Sequence, residues 1–203
     1  MTATLANASA DDRRESDFYP TPPEVTVALL EWLDLDETTR IWEPACGDGA
    51  MSNIMRGYGF AVTATDIRED GIDRLGRGGA DFLKHSIGPA FVDWIITNPP
   101  FNLAEEFIRH ALKFTPNVAM LVKSQFWHAQ SRAKLFGEHP PAAVLPLTWR
   151  PDFLAGEKGG APTMDCLWTV WMDDAQRCRR SEADWFQTRY YPLMRPSGTR
   201  SLL

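Results

Sequence analysis

Asn98-Pro99-Pro100-Phe101 is the most specific group of residues in the chain. An aromatic amine is a poor nucleophile, because its lone pair is delocalised into the ring. Two acceptors, the Asn98 side-chain oxygen and the Pro99 carbonyl, could hold its two N–H bonds and draw the nitrogen toward tetrahedral geometry. The lone pair is then free for in-line attack on a methyl group. The prolines fix the backbone, so the acceptors are preorganised rather than reordered at each turnover. Phe101 would stack on the base that carries the amine. Read as plain structure, Asn-Pro-Pro only terminates a strand.

A second group, Pro44-Ala45-Cys46-Gly47-Asp48-Gly49, follows a short strand and opens a helix. Its glycines allow a tight turn and a close approach of backbone to ligand. The third small position of a dinucleotide fingerprint is Ser52, so the match to that fingerprint is incomplete. Asp66 stands at the end of the next strand, where a carboxylate can bind both ribose hydroxyls of an adenosine. Asp81 could accept from an adenine amino group, with Phe82 beside the ring. The Asp66 carboxylate could equally serve only as a helix cap.

An alternation of strands and helices must position these groups. Helices are expected over 22–33, 50–57, 103–113 and 125–137. The first has Thr21 as N-cap, prolines in its opening turn, and Val25, Leu29, Leu30 and Leu33 at helical spacing. Strands are expected over 40–43, 60–65, 80–83, 91–97, 117–122, 142–147 and 166–172, with Pro146 interrupting the sixth. Glycine-rich residues 154–163 read as a mobile loop. The pattern predicts an α/β fold with a mostly parallel sheet covered by helices on both faces. Ligands bind such sheets beyond the carboxyl ends of the strands, which is where every marked group falls.

With 203 residues, 44% of them hydrophobic, the chain suits one well-buried domain. No apolar run approaches the roughly 18 residues of a membrane helix. Residues 1–16 have no signal-peptide pattern and read as a disordered, polar lead-in, so a cytoplasmic location is expected. Cys46, Cys166 and Cys178 form no CxxC pair, and His85, His110, His128 and His139 have no ligand spacing. Neither a disulfide framework nor a metal is expected. The net charge of −6 is unevenly spread. Residues 1–119 carry 10 basic and 19 acidic groups, residues 120–203 carry 11 and 8. That division permits a basic face on an acidic body. Arg177, Arg179, Arg180, Arg189, Arg195 and Arg200 gather in a tail at 176–203, beyond a domain at 17–175. The tail is either a solvated end or a phosphate-binding one.

With these residues in hand, the chain resembles the amino-methylating DNA methyltransferases, especially the small adenine-N6 enzymes of phages and prophages. The matching pieces are Tyr19-Pro20-Thr21-Pro22, Glu43-Pro44-Ala45-Cys46-Gly47-Asp48-Gly49, Asp66, Ala80-Asp81-Phe82-Leu83 and Asn98-Pro99-Pro100-Phe101, spread over about residues 17–150. The resemblance implies a seven-stranded, Rossmann-like class I methyltransferase fold, S-adenosylmethionine as cofactor and DNA as partner. By position, Tyr19 and Thr21 would line the methionine end of the cofactor, with Glu43, Ala45, Cys46 and Gly47 around the methionine and its linker. Asp66, with Ile67 beside it, would hold the ribose, and Asp81 with Phe82 the adenine. Asn98, Pro99, Pro100 and Phe101 would be catalytic, with Asn98 also touching the cofactor.

Reaching a paired adenine requires that it be extruded or single-stranded. Trp149, Arg150 and Phe153 loosely resemble the family's base-clamping loop and would supply a wall opposite Phe101. The chain has no room for a separate target-recognition domain, so a short or loose target is expected. Other readings stay open. The same tetrapeptide serves RNA adenine and protein-glutamine methyltransferases, and a nicotinamide-dependent dehydrogenase could share the glycine loop and Asp66. A non-catalytic binding module would have no use for two acceptors at a strand end. A cytosine-C5 mechanism needs a Pro-Cys pair, which is absent.

Overall fold

The computed structural model describes residues 20–70, 72–153, 162, 164–173 and 188–197. In chain order its elements are α1 (Pro23–Leu33), β1 (Arg40–Glu43), α2 (Ala50–Gly57), β2 (Ala61–Ala64), β3 (Trp94–Thr97), α3 (Ala104–Ala111), β4 (Val118–Lys123), α4 (Ala133–Glu138), β5 (Ala143–Pro146), β6 (Cys166–Trp171) and β7 (Arg189–Tyr190). The strands form one seven-stranded sheet in the order β2-β1-β3-β4-β6-β5-β7. Within it β6 runs against β4 and β5, and the remaining pairings are parallel.

Side chains alternate across the central strands, and both sides are apolar. Ile41, Trp94, Ile96, Leu121 and Trp168 face α1 and α2. Trp42, Ile95, Met120 and Trp171 face α3 and Leu135 of α4. A two-residue period with both faces buried is what an α/β sheet with helices on each side requires. The indole of Trp168 also donates to the Val25 carbonyl at 3.2 Å, tying β6 to the first turn of α1. Among the described residues no helix is long and apolar enough to cross a membrane.

Several expectations are corrected. Residues 80–83 form no strand. The chain meets the β2 edge earlier, in a single bridge between Thr65 and Arg77, and then follows the loop after β2, with Gly79 N–H donating to the Arg68 carbonyl at 3.0 Å and Ala80 N–H to the Asp66 carbonyl at 2.8 Å. Gly79 has φ of 66°, and a Cβ on Gly78 would stand 2.6 Å from the Arg68 carbonyl. The seventh strand is instead β7, at the opposite edge and inside the arginine-rich segment 176–203. Leu193, just beyond it, is buried and bridges Leu147, so this stretch belongs to the sheet.

The strand expected over 91–97 begins only at Trp94. Phe91 has φ of 61°, and Asp93 is clamped by the Arg40 guanidinium and backbone at 2.8–2.9 Å. The helix expected over 125–137 is broken by extended Ala129 into two 3-10 turns and the short α4. Thr21 does not cap α1; that position is Pro22, and Pro23 opens the helix. Residues 1–16, 154–161 and most of the arginine-rich segment lie outside the described residues.

Candidate active site

The loop between β1 and α2 turns on two glycines in the left-handed region, Gly47 (φ 54°) and Gly49 (φ 93°). A Cβ on Gly49 would lie 3.0 Å from the Asn53 amide and 3.1 Å from Asp73, so the loop is packed as well as turned. Its backbone is pinned from both sides. Gly47 N–H donates to Asp66 Oδ2 at 2.8 Å, and Cys46 N–H donates to the Thr65 carbonyl at 3.0 Å. Asp73 N–H donates to the Gly47 carbonyl at 2.7 Å. The other Asp66 oxygen accepts from the Arg68 backbone at 2.9 Å and its Nε at 3.3 Å.

Asp73 is the residue that sequence reasoning missed. It is buried, and it accepts from Ser52 Oγ at 2.7 Å, Arg56 Nη1 at 2.6 Å and Leu75 N–H at 3.0 Å. Burial alone would push its carboxyl up, but these donors outweigh that and hold it below the usual carboxylate value. Ser52, the position that spoiled the dinucleotide fingerprint, supplies the only signal: a small polar residue there serves as a donor to Asp73.

Glu43, the last residue of β1, is 1% exposed, and its Oε2 is buried with no partner among the described residues. Burial drives its carboxyl well above the ordinary range. Asp73 and Asp66 add to that rise, whereas Ser52 and Arg56 oppose it. The Cys46 thiol is pushed up to about 12, chiefly by burial and then by Glu43 and Asp66, so it stays protonated.

Across from this acidic group, β3 ends at Thr97 and runs into Asn98. Asn98 Nδ2 donates to Thr21 Oγ1 at 3.0 Å, and its Oδ1 is buried with no partner among the described residues. With Nδ2 engaged by Thr21, Oδ1 is the end of the amide that remains available. Pro100 begins the turn 101–103 that leads into α3. Phe101 is half-exposed, and Lys123 Nζ lies 4.3 Å from the centre of its ring.

Glu43, Gly47 and Asp66 on one side and Asn98, Pro99 and Phe101 on the other border one cavity of about 880 Å³, its open mouth included. Thr21, Ala45, Cys46, Ile67, Pro100, Asp81 and Phe82 also border it. Ile67 is 60% exposed, which offers an apolar surface at the rim. Asp81 caps the turn 82–84 by accepting from Leu83 N–H at 3.1 Å, and pairs with Lys84 at 2.8 Å. The Lys84 contact holds its carboxyl below the usual value. The Phe82 ring is buried against Trp42, Phe107 and His110.

Trp149, Arg150 and Phe153 follow β5 at the same carboxyl edge but do not border the cavity. Phe153 is 7% exposed within the core beside α1. Trp149 packs half-buried on that core, and Arg150 pairs with Asp165 at 2.7 Å. Tyr19 lies outside the described residues.

No family model matches the chain. Solved structures do. A Pyrococcus horikoshii protein provisionally named an RNA methyltransferase superposes with a TM-score of 0.61 at 17% identity, over 78% of this chain and 88% of that one. The methyltransferase subunit of a type I restriction-modification system from Streptococcus thermophilus matches with a TM-score of 0.59 at 13% identity. It covers 77% of this chain, which spans 45% of that subunit. A dimethyladenosine transferase from Plasmodium falciparum gives a TM-score of 0.57 at 11% identity, over 78% of this chain and 65% of that one. At these identities the likeness concerns the backbone: the chain has the Rossmann-like fold of class I methyltransferases.

Proposed function

We propose that this protein transfers a methyl group from S-adenosylmethionine to the exocyclic N6 amino group of adenine in DNA. The observation that carries the reading is Asn98, a residue that borders the cavity beside Pro99, whose amide nitrogen is tied to Thr21 while its oxygen is buried and unpartnered among the described residues. A buried acceptor without a donor is costly unless a ligand supplies one. A primary amine on a planar base supplies two, one for Asn98 Oδ1 and one for the Pro99 carbonyl.

The opposite wall fits the cofactor. Glu43 Oε2 lacks a partner among the described residues and suits the amino group of a methionine moiety, and the Gly47–Asp66 contact holds the glycine loop at the cavity wall. Asp66 would take the ribose hydroxyls in exchange for the Arg68 side chain, and Ile67 would lie along the adenine. When bound, S-adenosylmethionine supplies an electrophilic methyl group. The chain's own residues do the remaining work. Asn98 and Pro99 orient the amine, and Phe101 supports the base. Phe153 has no part in this proposal, because its ring is occupied by the core.

The test is to incubate the protein with methyl-labelled S-adenosylmethionine and separate DNA, RNA and protein pools, followed by nucleoside and amino-acid analysis. Label in N6-methyladenine of DNA is expected. RNA adenine is the second reading, favoured by the names of the Pyrococcus and Plasmodium proteins. Label confined to RNA would establish it in place of the first.

A further inference from the structure

We propose that Lys123 reads the phosphate of the nucleotide whose base stacks on Phe101, so that ring and ammonium together select nucleic acid over protein. The inference rests on the methyl-transfer reading and names its substrate class from a different set of groups. Lys123 is the last residue of β4, the strand beside β3, and β3 delivers Asn98 and Phe101. Its Nζ lies 4.3 Å from the centre of the Phe101 ring. The residue opposite it on β6 is buried Cys166, so the start of the side chain is positioned by the sheet while its charged end reaches the site.

The charges around the cavity are divided. Glu43, Asp66 and Asp73 stand on the glycine-loop side, in a chain of net charge −6. Several cations of the domain are already paired: Arg68 with Asp66, Arg56 with Asp73 and Arg150 with Asp165. Lys123 has no carboxylate partner among the described residues. It holds the face of an aromatic ring, an attraction weak enough to exchange for a phosphate oxygen. A base and its phosphate are joined through one sugar, a separation that rotation of the last lysine torsions can span. An aromatic surface with a neighbouring cation is how single nucleotides are gripped without sequence reading. A glutamine side chain on a protein would carry no phosphate for it.

The experiment uses the full chain with a fluorescent single-stranded oligonucleotide containing adenine, and its duplex, titrated by anisotropy over a series of salt concentrations. Methyl transfer to the same oligonucleotides is measured in parallel. Lys123→Met is expected to weaken binding roughly tenfold at low salt. It should also flatten the slope of log affinity against log salt by about 0.7–0.9, the value of one lost phosphate contact. KM should rise with kcat nearly unchanged, cofactor affinity should be intact, and Lys123→Arg should restore most of the binding. An unchanged slope in a folded Lys123→Met variant overturns the proposal, even if the parent methylates DNA. A fall in kcat alone does so too, since it assigns Lys123 to the chemistry. Salt-dependent binding lost in the variant, with no methyl transfer by the parent, would keep the phosphate contact and remove the methyl-transfer reading instead.

Discussion

Asn98 offers one acceptor to the cavity because Thr21 occupies the other end of its amide. Thr21→Val keeps the shape and removes the hydroxyl, so the amide is no longer held in one orientation. The expected loss is about 10- to 100-fold in kcat, the size of one or two weak positioning bonds, with S-adenosylmethionine affinity unchanged by calorimetry. Asn98→Ala should cost more in kcat and equally little in binding; near-normal turnover would reduce the tetrapeptide to a strand terminator. Glu43 permits a second prediction. A carboxyl held above its usual range binds more protons folded than unfolded, so this group lowers stability as pH rises through that window. A ligand amino group against Oε2 would relieve the cost. The thermal shift given by S-adenosylmethionine should therefore grow between about pH 5 and pH 8. Glu43→Gln should raise Tm of the ligand-free protein at the upper end and flatten that growth. Identical pH profiles for parent and variant would detach Glu43 from the ligand. Asn98 and Glu43 could be found in the sequence because each has a residue type matched to a task at a strand end. Thr21 was expected to cap α1, which it does not, since its hydroxyl partner lies 77 residues away, and Asp73 lacked any periodic setting.

At the level of elements, the glycine loop shows how local sequence and long-range contact share the work. The turn itself follows from Gly47 and Gly49, but its position is set by Asp66 and Asp73, which arrive from beyond β2. Gly49→Ala meets both constraints at once, a left-handed φ and contacts at 3.0–3.1 Å. It should destabilise the protein by about 1–3 kcal/mol and weaken the cofactor in parallel, as chemical denaturation and calorimetry would report. A variant as stable as the parent would mean that the loop relaxes freely. The strands with continuous apolar runs, β3, β4 and β6, were legible because burial on both faces leaves few alternatives. Residues 80–83 were not. Their composition permits a strand, but the chain there bonds to the loop after β2 rather than to β2 itself, and Asp81 then caps a 3-10 turn. Likewise the apolar spacing of 125–137 reports the packing of Phe126, Trp127 and Phe136, not an unbroken helix.

For the whole molecule, parallel strands bring the glycine loop, Asp66 and Asn98 to one edge although 51 residues separate the loop's first glycine from the amide, a placement that follows from the order β2-β1-β3. That much could be read from the alternation of elements. The far half of the sheet could not, because β7 is two residues long and sits in a segment whose arginines suggest solvent. Its attachment is local and specific. Arg189 and Tyr191 donate to Ala142 and Val144, Leu193 donates to Pro146, and Thr148 donates back to Leu193. Arg195 pairs with Glu24 of α1 at 2.9 Å, but that contact is largely exposed and contributes little. The buried Leu193 side chain is therefore the main anchor of the segment. Leu193→Ala should lower stability by about 2–5 kcal/mol, whereas Arg195→Ala should change it by about 0.5 kcal/mol or less. Both are readable as denaturant midpoints at constant m-value. Truncation after Met172 should resemble the leucine variant in stability, since it uncovers the β5 edge. If instead Leu193→Ala is neutral and truncation costs nothing, β7 merely rests on the sheet, and the domain ends at β6.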